Sequence, residues 1–459
     1  MNTDVALDAK ALLPSVRRLL ELSGAKILRL HRRWDPAQGT PVFTIRGEYT
    51  SRGWTEWTQG FQFGAALLQF DATGDARFLE IGRSATVEHM ASHLTHVGVH
   101  DHGFNNVSTY GNLLRLVREG RIEADAWQRR FYELALKVSG AVQAARWTGL
   151  LPEQGYIYSF NGPQSLFADT IRSLRALALA HQLGHVLMGE GDRPISLLGR
   201  LLQHAATTAR FNVYFGRGRD AYDVRGRVAH ESIFNLNDGA YRCPSSQQGF
   251  SPFTTWTRGL AWILCGYAEQ LEFLSALPEA QFQGLAEKAP TLGLFREVAE
   301  ATADFYIAHT ATDGVPYWDT GAPGLAQLGD PLGRPADPFN EHEPVDSSAA
   351  AISAQGLLRL GNWLTARSEP DKGAAYRQAG LTVARTLFAE PYLSTGADHE
   401  GLLLHAVYHR PNGWDYVPPG RKVPCGESCL WGDYHLLELA LMVLREAEGK
   451  PYLKFFLEA

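Results

Sequence analysis

Apolar residues recur at i, i+3, i+4 spacing along nearly the whole chain. The pattern predicts helices near residues 7–22, 58–72, 83–95, 105–118, 124–145, 165–188, 194–210, 254–275, 291–311, 346–364, 371–388 and 428–446, about twelve in all. Several are rich in Ala and Leu, as in RSLRALALAHQLG and SSAAAISAQGLLRL. Their apolar residues cover more than one side, as helices in two concentric layers require. No repeat of fixed length is visible, which argues against a simple solenoid.

The intervening stretches differ in kind. Residues 26–50 alternate and read as extended, and residues 211–253 read as strand and loop around Asn237, Asp238 and Gly239. Residues 313–345 and 410–427 are rich in Pro and Gly. Loops of such length inside a compact domain are commonly functional, and their Trp, Tyr and charged residues predict ordered walls of a site. A dozen helices with long connections on one side fit an all-α (α/α)6 barrel, a single catalytic domain over residues 1–459 with loops forming a cup at one end. Aromatic residues and a few acids in such a cup suit a sugar, whose faces stack on Trp and Tyr while its hydroxyls take carboxylates.

Composition narrows the function classes. Hydrophobic residues make up 45% and charged residues 20%, which excludes a disordered chain. The 43 Lys and Arg against 49 Asp and Glu leave a net charge of −6, which argues against bulk nucleic-acid binding. An anionic substrate would have to be held by a few local cations. Four cysteines make no disulfide framework. The start MNTDVALDAKALLPSVRRLL lacks the apolar segment of a secretion signal, and no apolar run reaches membrane-spanning length. A cytoplasmic enzyme with no membrane or nucleic-acid partner is expected; oligomeric state is left open.

Four constellations carry candidate chemistry. In HVGVHDHGF (96–104), Asp101 stands between His100 and His102 ahead of a helical pattern, either as a site acid or as part of a plain helix-start loop. His93, His96, His100 and His102 invite a metal, but their spacing matches no strong zinc pattern, and neither a metal nor another cofactor is expected. Asp169 falls in an apolar helical run near Phe167, Ala168 and Ile171, with Arg172 and Arg175 after it. Desolvation would raise its pKa and keep a proton available; pairing with either arginine would lower it. In QQGFSPFTTWTRGLAWILCGYA (247–268), Trp256, Arg258 and Trp262 combine aromatic faces with a guanidinium fork suited to an acidic sugar. RGWTEWTQGF (52–61) adds Trp54 and Trp57, and Tyr317, Trp318, Trp414, Tyr416, Trp431 and Tyr434 supply further aromatic material. No nucleophile elbow, phosphate loop or dinucleotide fingerprint in strand context is present.

Taken together, these segments resemble glycoside hydrolase family 88, the unsaturated glucuronyl hydrolases. The matching segments are WTQGF (57–61), HDHGF (100–104), ADTIRSLRALALAHQLG (168–184), QQGF with WTRGLAW (247–262), DSSAAAISAQGLLRL (346–360), GLLLHAVYH (401–409) and CLWGDYHLLELAL (429–441), in the family's order. The resemblance implies an (α/α)6 barrel. It implies Asp169 as the catalytic acid/base and Asp101 as a second essential aspartate. It implies that His100, His230, Gln248, Arg258, Trp57, Trp256 and Trp262 hold the unsaturated ring. Phe160 stands where the family places a stacking Trp, a departure that bears on the preferred sugar.

The resemblance further implies the substrate and the reaction. The substrate is a disaccharide or oligosaccharide with a 4,5-unsaturated uronic acid at its nonreducing end. Protonation at C4 and hydration at C5 give a hemiketal that opens, releases the aglycone and leaves a keto-uronate. The alternatives are an unsaturated rhamnogalacturonyl hydrolase of the same fold, a sugar epimerase or isomerase on an α-toroid, and a non-catalytic carbohydrate-binding toroid.

Overall fold

Local capping and apolar periodicity set the helices. The computed structural model describes residues 1–53, 56–150 and 154–456. In chain order its helices are α1 (Leu13–Arg33), α2 (Gln59–Thr73), α3 (Ala76–His89), α4 (Ala91–Leu94), α5 (His102–Asn106), α6 (Asn112–Arg118), α7 (Ala126–Ala145), α8 (Thr170–Ser173), α9 (Arg175–Gln182), α10 (Leu197–Phe211), α11 (Thr257–Ala276), α12 (Lys288–Ala308), α13 (Ser347–Thr365), α14 (Pro370–Leu387) and α15 (Leu430–Ala447). Asp125 and Gln128 close a capping box at α7, Ser196 caps α10, and Asp346 accepts the backbone N–H groups of Ser348 and Ala349 at α13. A π-helical turn, Val107–Gly111, joins α5 to α6 as one bent segment.

Among the described residues, six segments form an inner ring: α2, α5–α6, α8–α9, α11, α13 and α15. Each packs on the next, and α15 returns to α2. The outer layer is α1, α3, α7, α10, α12 and α14, each seated against inner neighbours. This is the all-α (α/α)6 toroid. Inner helices are covered on every side, so α11 and α13 are buried along almost their whole length. Small residues let the ring close. A Cβ on Gly103 of α5 would collide with the Ser173 carbonyl at the end of α8. No helix among the described residues is long and apolar enough to cross a membrane.

Two local expectations need correction. Residues 26–33 are helical, continuing α1, and only Thr40–Ile45 and Glu48–Arg52 pair as an antiparallel hairpin. KILRLHRR consists mostly of good helix formers, and its final His31, Arg32 and Arg33 suit the negative end of a helix. The run 165–188 is likewise not one helix. Ser165–Phe167 is a strand paired with Glu231–Phe234, and Asp169 stands at the junction before α8.

All six inner segments start at the same end of the toroid, where the residues just ahead of them converge. At the other end, Arg115 and Arg445 lie in the last turns of α6 and α15. Both bind Asp71 at 2.8 Å, and Arg445 also reaches Glu119 at 2.6 Å. These cations face the helices' negative ends. Between the two ends lies a buried ion cluster. Arg172 reaches Glu269 at 2.5 Å, Glu438 at 3.1 Å and His435 at 2.8 Å, and Arg359 reaches Glu272 at 3.0 Å. Helices α8, α11, α13 and α15 are tied together by these bonds.

Deleting one charge from such a cluster strands its partners without water. Arg172→Leu should therefore cost about 3–5 kcal/mol of unfolding free energy, measured by urea titration. A loss of less than about 1 kcal/mol would show that the cluster does not hold the ring.

Candidate active site

The converging ends of the inner segments deliver the site. Trp57 lies just ahead of α2, Asp101 ahead of α5, Asp169 ahead of α8 and Trp256 ahead of α11, while Trp431 stands in the first turn of α15. Helix N-termini carry partial positive charge, so their convergence favours an anion. These residues line a cavity of about 540 Å³. Nine of the ten residues singled out by sequence line it: Trp57, His100, Asp101, Phe160, Asp169, Gln248, Trp256, Arg258 and Trp262. The tenth, His230, lies behind the wall, with its ring centroid 4.4 Å from Phe167 and 4.8 Å from Trp256. Trp54 lies outside the described residues.

At the floor, the His100 Nε2 is 3.3 Å from the Asp169 Oδ1 and 3.7 Å from the Asp101 Oδ1. One imidazole thus serves two carboxyls. Ser173 and Gln143 fix this loop by donating to the His100 carbonyl at 2.6 and 2.9 Å. Burial alone would raise the Asp169 pKa, but the hydrogen bond and charge of His100, with His230 nearby, bring it below its ordinary value. The desolvation reading of Asp169 therefore fails, and so does pairing with Arg172 or Arg175. Arg172 is held by Glu269 and Glu438, and Arg175 by the Gly103 carbonyl. Asp101 goes the other way: burial and the neighbouring Asp169 raise its pKa against the pull of His100. His100 is raised above its usual value because the two carboxyls outweigh its burial.

His230 is held neutral. The backbone N–H of Gln247 donates to its Nδ1 at 3.0 Å, which leaves the proton on Nε2, an atom with no partner among the described residues. Burial drives its pKa down to about 4 despite the nearby Asp169.

Arg258 does not offer the open fork expected from sequence. Its Nη1 donates to Asp346 at 2.7 Å and to the Val407 carbonyl at 2.5 Å. Its Nη2 donates to the Tyr408 carbonyl at 2.8 Å and to the Gln248 Oε1 at 3.2 Å. The guanidinium is sandwiched between Trp256 and Trp431, 4.8 and 5.0 Å from their ring centroids. It therefore braces the wall and orients Gln248, whose amide nitrogen is left to point elsewhere. Phe160 is half exposed and stacks on His100 at 6.0 Å, offering an aromatic face to the cavity.

Loop 410–427 reaches the cavity through Trp414, whereas no residue of 313–345 lines it. The latter loop acts one layer back: Asp319 accepts from the Phe250 N–H at 2.8 Å, and Trp318 accepts from the Thr257 N–H at 3.1 Å. The four histidines of 93–102 diverge. His93 bonds Gln59, and His102 bonds Ser139 and the His96 carbonyl.

Sequence reasoning missed Arg52, Glu56, Tyr408 and His409 as lining residues. Arg52 and Glu56 both sit inside the motif RGWTEW, which also holds Trp54 and Trp57. The Glu56 carboxyl is raised to about 7 by burial and by Asp101.

No protein-family model matches the chain. An unsaturated glucuronyl hydrolase from Bacillus sp. is 26% identical over 408 residues, covering 87% of this chain and 89% of that protein. The chain resembles the unsaturated glucuronyl hydrolases. An unsaturated chondroitin disaccharide hydrolase from Streptococcus pyogenes is 28% identical over 426 residues, covering 90% and 86%. The crystal structure of an unsaturated glucuronyl hydrolase specific for heparin superposes with a TM-score of 0.71 at 20% identity, covering 96% of this chain and 99% of that one. The likeness to unsaturated glucuronyl hydrolases thus runs through both chains nearly end to end, and the toroid is shared.

The opposed shifts of the site histidines are open to nuclear magnetic resonance. His230 should remain neutral down to about pH 4, while His100 titrates above its ordinary range. Both rings titrating near 6.5 would contradict this electrostatic picture.

Proposed function

We propose that the chain, acting as one catalytic unit over residues 1–459, is an unsaturated glucuronyl hydrolase. It removes a 4,5-unsaturated uronic acid from the nonreducing end of a disaccharide or oligosaccharide. The observation that carries this reading is the His100 imidazole shared by two buried carboxyls on the floor of an aromatic-walled cavity. The similarity to hydrolases of this specificity supports it independently.

The unsaturated ring is an enol ether, so protonating C4 places the cation at C5, next to the ring oxygen. Asp169 delivers that proton. Before substrate binds, Asp169 is the more acidic carboxyl and the proton that it shares with His100 sits on the imidazole. An anionic substrate that fills the cavity and excludes water disfavours a charged carboxylate. The proton then moves across the 3.3 Å contact from His100 to Asp169, ready for C4. Once C4 is protonated, the Asp169 carboxylate takes a proton from the water that adds at C5. The hemiketal opens, the glycosidic bond is lost as the aglycone departs, and a keto-uronate remains. Asp101 stabilises the charged His100 before that transfer and again when Asp169 returns the proton to it at the end of the cycle. The neutral His230, behind the wall, packs against Phe167 and Trp256 without adding charge near Asp169.

The walls bind rather than react. Trp57, Phe160, Trp256 and Trp262 give the ring apolar faces, and Gln248, oriented by Arg258, offers its amide N–H to a ring oxygen. The helix N-termini around the floor favour the uronate charge.

Asp169→Asn keeps the shape and removes the proton. Turnover, followed as loss of ultraviolet absorbance of the conjugated bond, should fall on the order of a hundredfold to ten-thousandfold with an unchanged circular dichroism spectrum. Turnover within a few fold of the parent enzyme would remove Asp169 from the reaction.

A further inference from the structure

An anionic substrate needs a cation whose charge is not already spoken for. Arg258 gives its charge to Asp346 and four of its N–H groups to protein acceptors. Arg52 is the other arginine lining the cavity. It ends the hairpin strand Glu48–Arg52, is exposed, and makes no ion pair with any described residue. Its guanidinium lies 5.3 Å from the ring centroids of both Tyr408 and Trp414. Two aromatic faces thus hold the head group in place without neutralising it. The nearby acid is Glu56, whose carboxyl is raised to about 7 and so opposes Arg52 only weakly below neutrality.

Depth decides which anion this cation meets. The reacting carboxyls are buried, with 11% of each side chain exposed, while Trp414 beside Arg52 is 45% exposed. A ring seated with C4 against Asp169 keeps its carboxylate, on the adjacent C5, near the floor. The rim then faces the sugar bonded to the uronate. We propose that Arg52 recognises a sulfate ester on that neighbouring sugar and selects substrates that carry it. This assignment rests on the proposed hydrolase activity and names its substrate class.

The test compares kcat/KM on unsaturated chondroitin disaccharides bearing no sulfate, a 4-sulfate or a 6-sulfate. The parent enzyme should favour a sulfated form, and added salt should shrink that preference. Arg52→Gln should lower kcat/KM on the preferred sulfated substrate on the order of tenfold to a hundredfold. The loss on the unsulfated one should be smaller, bringing the ratio toward one. Arg52→Lys should retain part of the preference, since it keeps the charge and loses the fork. Equal losses on all three would mean that Arg52 holds the uronate's own carboxylate or merely supports Trp414, and would overturn the assignment. A parent enzyme that favours the unsulfated disaccharide would overturn it as well. A parent enzyme that turns over none of the three overturns the hydrolase reading, and the assignment with it.

Discussion

One imidazole between two carboxyls, taken out of water, is the interaction on which the site depends. In water such a trio would titrate as three ordinary groups. Buried at the floor of the toroid, Asp101, His100 and Asp169 share charge and proton, and their pKa values are driven apart. The same burial makes the trio responsive, because a ligand that changes the local charge or excludes the last water redistributes the proton. Neighbouring groups are arranged so that they do not interfere. His230 is kept neutral, and Arg258 is ion-paired with Asp346.

The toroid supplies what that trio requires. Six inner segments begin at one end, so their N-termini surround an anion site without a cluster of free cations. Beneath the floor, Arg172, Arg359, Glu269, Glu272 and Glu438 lock four of the inner segments together. Side chains at the helix starts, including Asp169 and Trp256, are thereby held by a scaffold that cannot shift one member alone. The close approach at Gly103 keeps Asp101 next to the α8 segment that Asp169 introduces.

Much of this was legible in the sequence because the decisive residues stand in compact motifs beside helix starts. HDHGF, FADT and WTRGLAW each combine a chemical group with the apolar run that fixes its position. The partners of those groups were not legible. Arg258 looked like an open fork because Asp346, Val407 and Tyr408 lie 88 to 150 positions away. The direction of the Asp169 shift stays open in the sequence for the same reason, since the His100 that lowers it is 69 positions distant. Arg52, at a strand end, and Glu56, in the loop before α2, carry charges with no periodicity to mark them. Residues 26–33 were read as extended because alternation over a few residues cannot be told from the polar face of a helix end.

The most direct measurement is a crystal structure of Asp169→Asn with an unsaturated glucuronyl disaccharide bound. C4 of the unsaturated ring should lie against the side chain of residue 169, with His100 on its far side and the glycosidic oxygen turned away from both carboxyl positions. A complex with the glycosidic oxygen against residue 169 and C4 remote from it would contradict protonation of the alkene.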